Sequence, residues 1–232
     1  GGLEMSIKYC YDIEQGSNAW FDARLGIVTA SNINTLLTPK GKLAKNDKVK
    51  QYAYELIAQR ETWRVDDTYI SFDMERGKIQ EDIARNVYHE AYNEVRICGF
   101  ILNTDHGFKL GASPDGLVGD DGGIEIKSRK TKFQIQTVAD DVIDPKFMNQ
   151  IQACMLVSNR KWWDFVQFSN GMPLYVKRVF PDAAIQDAII EAVKSFEEMC
   201  SEIRERYNKN MMNLVKTKYV EIMMDDEITE SE

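Results

Sequence analysis

The sequence predicts a single mixed α/β domain with a central mixed β-sheet flanked by helices, and three observations carry that expectation. Apolar residues recur at helical spacing through the first ninety positions, β-rich segments separated by Asn, Asp and Gly fill the middle, and a long amphipathic stretch closes the chain. Helices, then strands with an inserted helix, then a closing helix give the layered pattern of an α/β domain. No internal repeat and no linker divides it. The expected domain covers residues 5–208, and 209–232 form a C-terminal extension.

The elements follow in order. Trp20 to Leu25 reads as a short helix opened by Ser17 or Asn18 and closed by Gly26. Thr29 and Ser31 precede Ile33, Leu36 and Leu37, a second short helix with hydroxyls at its N-terminus. Gly41 and its neighbouring lysines form a loop. Val49, Tyr52, Ala53, Leu56 and Ile57 fall at i, i+3, i+4, i+7 and i+8, the apolar stripe of a helix that starts near Lys48. A further helix is expected from Glu75 to Tyr92, with Ile79, Ile83 and Val87 as its core stripe. The period then changes: 95–102, 107–111 and 123–127 read as strands, with Asp120-Asp121-Gly122-Gly123 as a turn. Pro145 opens a helix through Met155, and 163–168 with 174–179 make a strand pair around Asn170-Gly171. Pro181-Asp182 opens the long helix carrying Ile185, Ile189, Val193, Phe196, Met199 and Ile203.

Composition narrows the function classes. With 44% hydrophobic and 28% charged residues the 232-residue chain is ordinary globular material, and a net charge of −8 argues against a polybasic nucleic-acid coat. No apolar run approaches the ~18–20 residues of a membrane span. Four dispersed cysteines with no C-x-x-C suit a reducing, cytoplasmic setting without structural zinc or a disulfide framework. The charge is uneven. Five acids crowd the last eight residues, while 40–50 and 127–132 are basic, so a polyanion gripped in a defined groove and plain solvated lysines both fit.

The chemistry concentrates in Gly111-Ala112-Ser113-Pro114-Asp115-Gly116 and, after a short connection, Glu125-Ile126-Lys127. Alternation along a strand puts Glu125 and Lys127 on one face and Ile126 on the other, in the core. Hairpin pairing can bring Asp115, at the end of the preceding strand, beside Glu125. Two carboxylates at one place repel unless a proton or cation compensates, and oxygen-only ligands favour a hard ion such as Mg2+ or Mn2+. The Ile126 carbonyl offers a further oxygen, and Lys127 could orient or deprotonate a water and offset phosphate charge. These parts suit metal-assisted phosphodiester hydrolysis.

Pro-Asp, a hairpin-length gap and Glu-x-Lys form the signature of the PD-(D/E)XK nuclease superfamily, with its restriction-endonuclease-like core. The resemblance extends further. Trp20, Arg24, Leu25, Gly26, Thr29, Ala30 and Ser31 in W-x₃-R-L-G-x-x-T-A-S spacing, Gly77 followed by Glu81, Ala112 to Leu117, Glu125 to Ser128, and Met148 to Gln152 are together similar to the lambda exonuclease family, the YqaJ-type viral recombinases. That resemblance implies a Mg2+-dependent exonuclease, with a two-metal site and Mn2+ as a substitute. It would digest one strand of duplex DNA from its 5′ end to mononucleotides and leave a 3′ overhang for a single-strand annealing protein. It also implies a homotrimeric ring. Carried onto this chain, Asp115, Glu125 and the Ile126 carbonyl would hold metal, and Lys127, supported by Glu81 and Gln150, would position the nucleophilic water. Arg24, Ser31 and Ser113, with Thr29 nearby, would bind the terminal 5′-phosphate.

Taken one at a time, these residues have ordinary structural readings. Arg24 could pair with Asp22 or Glu14, Ser31 could be a plain N-cap, Glu81 an exposed helical acid and Gln150 a buried amide. Glu81 lies 200° around its helix from the Ile79 and Ile83 stripe, so it need not face the core. His89 and His106 are too isolated for a zinc site, Asp120 and Asp121 suit a turn, and Trp162-Trp163 suit the core better than base stacking. Two other functions stay open: a structure- or site-specific endonuclease of the same superfamily, and a DNA-end binding module without catalysis.

Overall fold

A computed structural model of the chain describes residues 6–38, 40–65 and 72–220. The acidic tail residues Asp225, Asp226, Glu227, Glu230 and Glu232 lie outside the described residues. Among the described residues, eight strands divide between two four-stranded mixed sheets. The first has the order β1 (Ile7–Cys10), β3 (Phe100–Asn103), β4 (Leu110–Ala112), β2 (Val28–Thr29), with only β2 and β4 parallel. The second has the order β5 (Gly116–Val118), β6 (Gly122–Ser128), β7 (Trp162–Phe168), β8 (Tyr175–Val179), with only β6 and β7 parallel. A bridge between Arg96 and Leu117 links the expected 95–102 strand to the second sheet, although its regular part begins only at Phe100.

The helices are α1 (Asn18–Arg24), α2 (Ile33–Leu36), α3 (Asp47–Thr62), α4 (Phe72–Ala91), α5 (Thr131–Asp140), α6 (Met148–Ser158) and α7 (Ala183–Met211). Their starts follow capping chemistry. Ser17 accepts from Trp20 N, Asn46 from Val49 N and Asp182 from Ile185 N, each satisfying a backbone donor that the first turn leaves free. Ser31 is not an N-cap. It sits inside a 3₁₀ turn, Ala30–Asn32, that leads into α2, and Thr29 occupies the cap position without capping. The sequence pattern did not reveal α5, β1 or β5, which are short or lack a clean period.

Trp163 and Phe165 on one face of β7 join the large core with Tyr52, Leu56, Ile189, Val193 and Phe196. On the other face, Val166 and Phe168 pack with Ile124 and Ile126 against Ala84 and Tyr88 of α4. Ile126 is therefore a core residue, as alternation requires, and Trp163 is fully buried.

The expected core stripe of α4 is corrected. Ile79, Ile83 and Val87 are 62%, 45% and 41% exposed. The helix instead turns Glu81, Ala84, Arg85 and Tyr88 toward the second sheet, where Arg85 and Tyr88 find specific partners. Tyr88 gives its hydroxyl to the buried Asp164 at 2.7 Å, and Arg85 Nε donates to the Asp115 carbonyl at 2.6 Å. Satisfied polar contacts outcompete an apolar stripe for the inward face.

The β6–β7 register sets Gly122 opposite Trp162 and Gly123 opposite Trp163. A Cβ on Gly123 would lie 2.3 Å from the Trp163 ring, which has no free space to retreat into. Gly123→Ala should therefore destabilise the protein by about 1–3 kcal/mol through overpacking, against the usual gain from replacing a strand glycine. Urea unfolding of the two proteins measures the sign, and a stabilised variant would refute the packing argument.

Candidate active site

The β5–β6 hairpin assembles the centre. Gly116 pairs with Ile124, so Asp115, the residue just before β5, falls opposite Glu125. Beyond that pair β5 no longer covers the edge of β6, and Asp115 Oδ2 accepts the Ile126 N–H there at 2.6 Å. The N–H and C=O of one strand residue project to the same edge, so the Ile126 carbonyl shares this uncovered stretch. Glu125 is 2% exposed. Its Oε1 lies 2.7 Å from Lys127 Nζ, and its buried Oε2 has no partner. Lys127 Nζ also donates to Gln150 Oε1 of α6 at 3.0 Å.

Arg85 is the residue that sequence reasoning missed. It reaches Glu81, Asp82 and the Asp115 carbonyl from one guanidinium, tying α4 to the hairpin. The signal was present: an Arg four residues after Glu81 on a helix is a neighbour on the same face.

The electrostatics follow from these placements. Burial, then Glu125 and Glu81, push the Asp115 carboxyl well above the usual range, with the Ile126 N–H opposing. Burial also raises Glu81, against the pull of Arg85 and with Glu125 adding to the rise. For Lys127, burial alone would lower the ammonium, but contact with Glu125 and the nearby Asp115 outweighs it and holds the charged form. That favours orienting a water or balancing phosphate charge over abstracting a proton.

Glu125 Oε2 is an orphaned acceptor beside a second carboxylate, and this pattern fits a divalent cation. Among the described residues no three His, Cys, Asp or Glu side chains converge on one point. Two carboxylates plus a carbonyl suit an ion that keeps several waters, as Mg2+ does.

A second cluster forms where β2 runs parallel to β4, with Thr29 beside Gly111. Ser113, two residues beyond Gly111, accepts from Arg24 Nη1 at 2.7 Å and from Trp20 Nε1 at 2.9 Å. The Arg24 guanidinium lies 4.1 Å over the Trp20 ring, and burial lowers its pKa. Arg24 thus engages Ser113 and Trp20. The Thr29 and Ser31 hydroxyls pair with each other at 3.1 Å. A cavity of about 750 Å³ lies between Gln80, Ser128, Arg129, Lys130, Lys132 and Phe133 and takes in most of the second basic stretch.

The features set aside in the sequence have structural places. His89 Nδ1 accepts the Val95 N–H, His106 packs on Phe108, and the four cysteines are free and buried. No helix among the described residues is long and apolar enough to cross a membrane.

A family model described as the YqaJ-like viral recombinase domain matches residues 19–161. The crystal structure of an alkaline exonuclease, LHK-Exo, from Laribacter hongkongensis is 32% identical, covers 84% of this chain and 100% of its own, and superposes with a TM-score of 0.69. Its complex with dAMP gives 32% identity over the same shares and a TM-score of 0.68. A phage related exonuclease from Haemophilus somnus 129PT has the same fold at 13% identity, over 78% of this chain and 96% of its own, with a TM-score of 0.55. No curated protein sequence matches the chain.

The raised Asp115 predicts a pH dependence. A carboxyl that holds its proton to higher pH when folded stabilises the fold below its ordinary pKa of 3.8, and that contribution is lost as pH rises through the folded value. In chelator, Tm should therefore carry a component that falls as pH rises across this window. Asp115→Asn should show a shallower fall than wild type in the same buffers. Equal slopes would mean that Asp115 is not the strained group.

Proposed function

The chain belongs to the YqaJ-like viral recombinase family, and we propose that it is a Mg2+-dependent exonuclease digesting one strand of duplex DNA from its 5′ end. The products would be mononucleotides and a 3′ single-stranded overhang for an annealing protein. The observation that carries this reading is the unpartnered, buried Glu125 Oε2 next to Asp115, within one hydrogen-bonded unit with Lys127 and Gln150. The Laribacter hongkongensis relative, an alkaline exonuclease with a dAMP complex, supports a nucleotide-releasing activity.

In this proposal Asp115, Glu125 and the Ile126 carbonyl hold the metal, with Mn2+ able to replace Mg2+. A bound divalent cation supplies Lewis-acid stabilisation of phosphoryl charge and makes a water more acidic. Lys127, kept charged by Glu125 and fixed by Gln150, orients the attacking water and balances charge on the scissile phosphate. Glu81, held by Arg85, supports that water from the α4 side. Arg24 and Ser113, with Ser31 and Thr29, hold the terminal 5′-phosphate, where the planar guanidinium suits a phosphate's paired oxygens. The basic cavity lined by Arg129, Lys130 and Lys132 fits the continuing strand. The homotrimeric ring, the 5–208 nuclease domain with its 209–232 extension and the annealing partner belong to the same proposal.

Three experiments test it. On end-labelled linear duplex with Mg2+, wild type should release mononucleotides from the earliest time point, whereas an endonuclease would give discrete fragments. Asp115→Asn and Glu125→Gln should each lower the rate by about a hundredfold or more while remaining folded. Substantial Mg2+-dependent turnover by either variant would sink the metal assignment. Lys127→Ala should lose activity on a similar scale yet still bind Mg2+ in calorimetry, because its amine is not a ligand. Loss of binding as complete as in Asp115→Asn would merge the two roles.

A further inference from the structure

Tyr52 has a hydroxyl that neither the packing nor the roles assigned above explain. Its ring accounts for itself: it lies on α3, is 7% exposed and stacks on Phe196 at 5.3 Å between centroids. The phenolic oxygen, in contrast, is fully buried and has no hydrogen-bond partner of proper geometry. Asn32 and the Thr29 backbone lie close enough to act on it as donors. The O–H thus has no acceptor of its own, which is costly unless a ligand supplies one.

Tyr52 is one of the residues around a small cavity of about 200 Å³ whose wall also includes Trp20, Arg24, Thr29 and Asn32. The Arg24 guanidinium spends one N–H on Ser113, and the titratable group acting on it is the Tyr52 phenol rather than a carboxylate. Glu55, the acid among the described lining residues, is exposed and accepts from Gln59 Nε2 at 3.3 Å. A partly buried cation with N–H groups beyond the one given to Ser113, and no carboxylate among the described residues paired with it, suits an oxyanion. The volume falls below the roughly 300–1,000 Å³ of sites that take drug-sized ligands, so a single phosphoryl group suits it better than a whole nucleotide.

We propose that the Tyr52 hydroxyl donates a hydrogen bond to the terminal 5′-phosphate beside Arg24, and so helps set the preference for phosphorylated ends. The proposal rests on the reading of the Arg24 pocket given above. It adds a phenol from α3 to a pocket otherwise drawn from the Trp20–Ser31 and Ser113 segments.

Tyr52→Phe tests it, since the ring and its Phe196 contact remain. Wild type, Tyr52→Phe and Arg24→Ala are compared in two ways at one fixed salt. Initial rates are taken on linear duplex bearing a 5′-phosphate or a 5′-hydroxyl, and fluorescence anisotropy in chelator measures binding of the same two ends. Tyr52→Phe should bind and cut phosphorylated ends about ten- to hundredfold less well, with hydroxyl ends unaffected. Its Tm should equal or exceed that of wild type, because an unsatisfied buried hydroxyl has been removed. Equal slowing on both ends, or a lowered Tm with unchanged preference, would make Tyr52 structural and overturn the proposal. Selective loss in Arg24→Ala with none in Tyr52→Phe would overturn it while sparing the phosphate pocket. Absence of any preference in wild type would overturn both.

Discussion

Two carboxylates meeting at the uncovered end of one hairpin, with a third acting on them from helix α4, are the constraint around which this molecule is organised. Asp115, Glu81 and the buried Glu125 act on one another as like charges in a place that water only partly reaches. Such an arrangement stands only with compensation, and the protein supplies it from two directions. Lys127 reaches Glu125 along the strand itself, and Arg85 reaches Glu81 and the Asp115 backbone from the helix across the sheet. The compensation is incomplete, since Glu125 Oε2 faces no donor. That residual electrostatic demand is the feature on which the metal proposal rests.

Much of the surrounding architecture can be read as holding those charges in place. The parallel β6–β7 pairing fixes the strand that carries Glu125 and Lys127, and its register depends on two glycines lying against two tryptophans. Helix α4 gives up the burial of three large aliphatic side chains so that Glu81, Arg85 and Tyr88 can face inward. Helix α6 brings Gln150 to Lys127 while Ile151 and Cys154, on the same helix, stay in the core. In each case one element serves packing on one side and charge placement on the other.

The Arg24 cluster obeys a different rule. There the excess is of donors, and the hydroxyls of Thr29, Ser31 and Ser113 are spent on neighbours or on one another rather than on capping helices. Both clusters hold polar groups in imperfectly satisfied environments, a cost that stable folds accept at functional positions.

The sequence by itself determined the alternation that puts Glu125 and Lys127 together and Ile126 in the core. It also determined the helix start at Pro181-Asp182, narrowed another to Ser17 or Asn18, and set the motif order that marks the family, because each is a local pattern with a fixed geometric meaning. Only the tertiary structure decided which face of α4 turns inward. Periodicity ranks Ile79, Ile83 and Val87 as core because it counts apolar residues, and it cannot see that Arg85 and Tyr88 have partners at Asp115 and Asp164 on distant strands. The same limit hid α5 and β1, the division of the strands between two sheets, and the unpaired hydroxyl of Tyr52. Such features depend on which residues meet across long separations in the chain, and spacing along the sequence carries no information about those meetings.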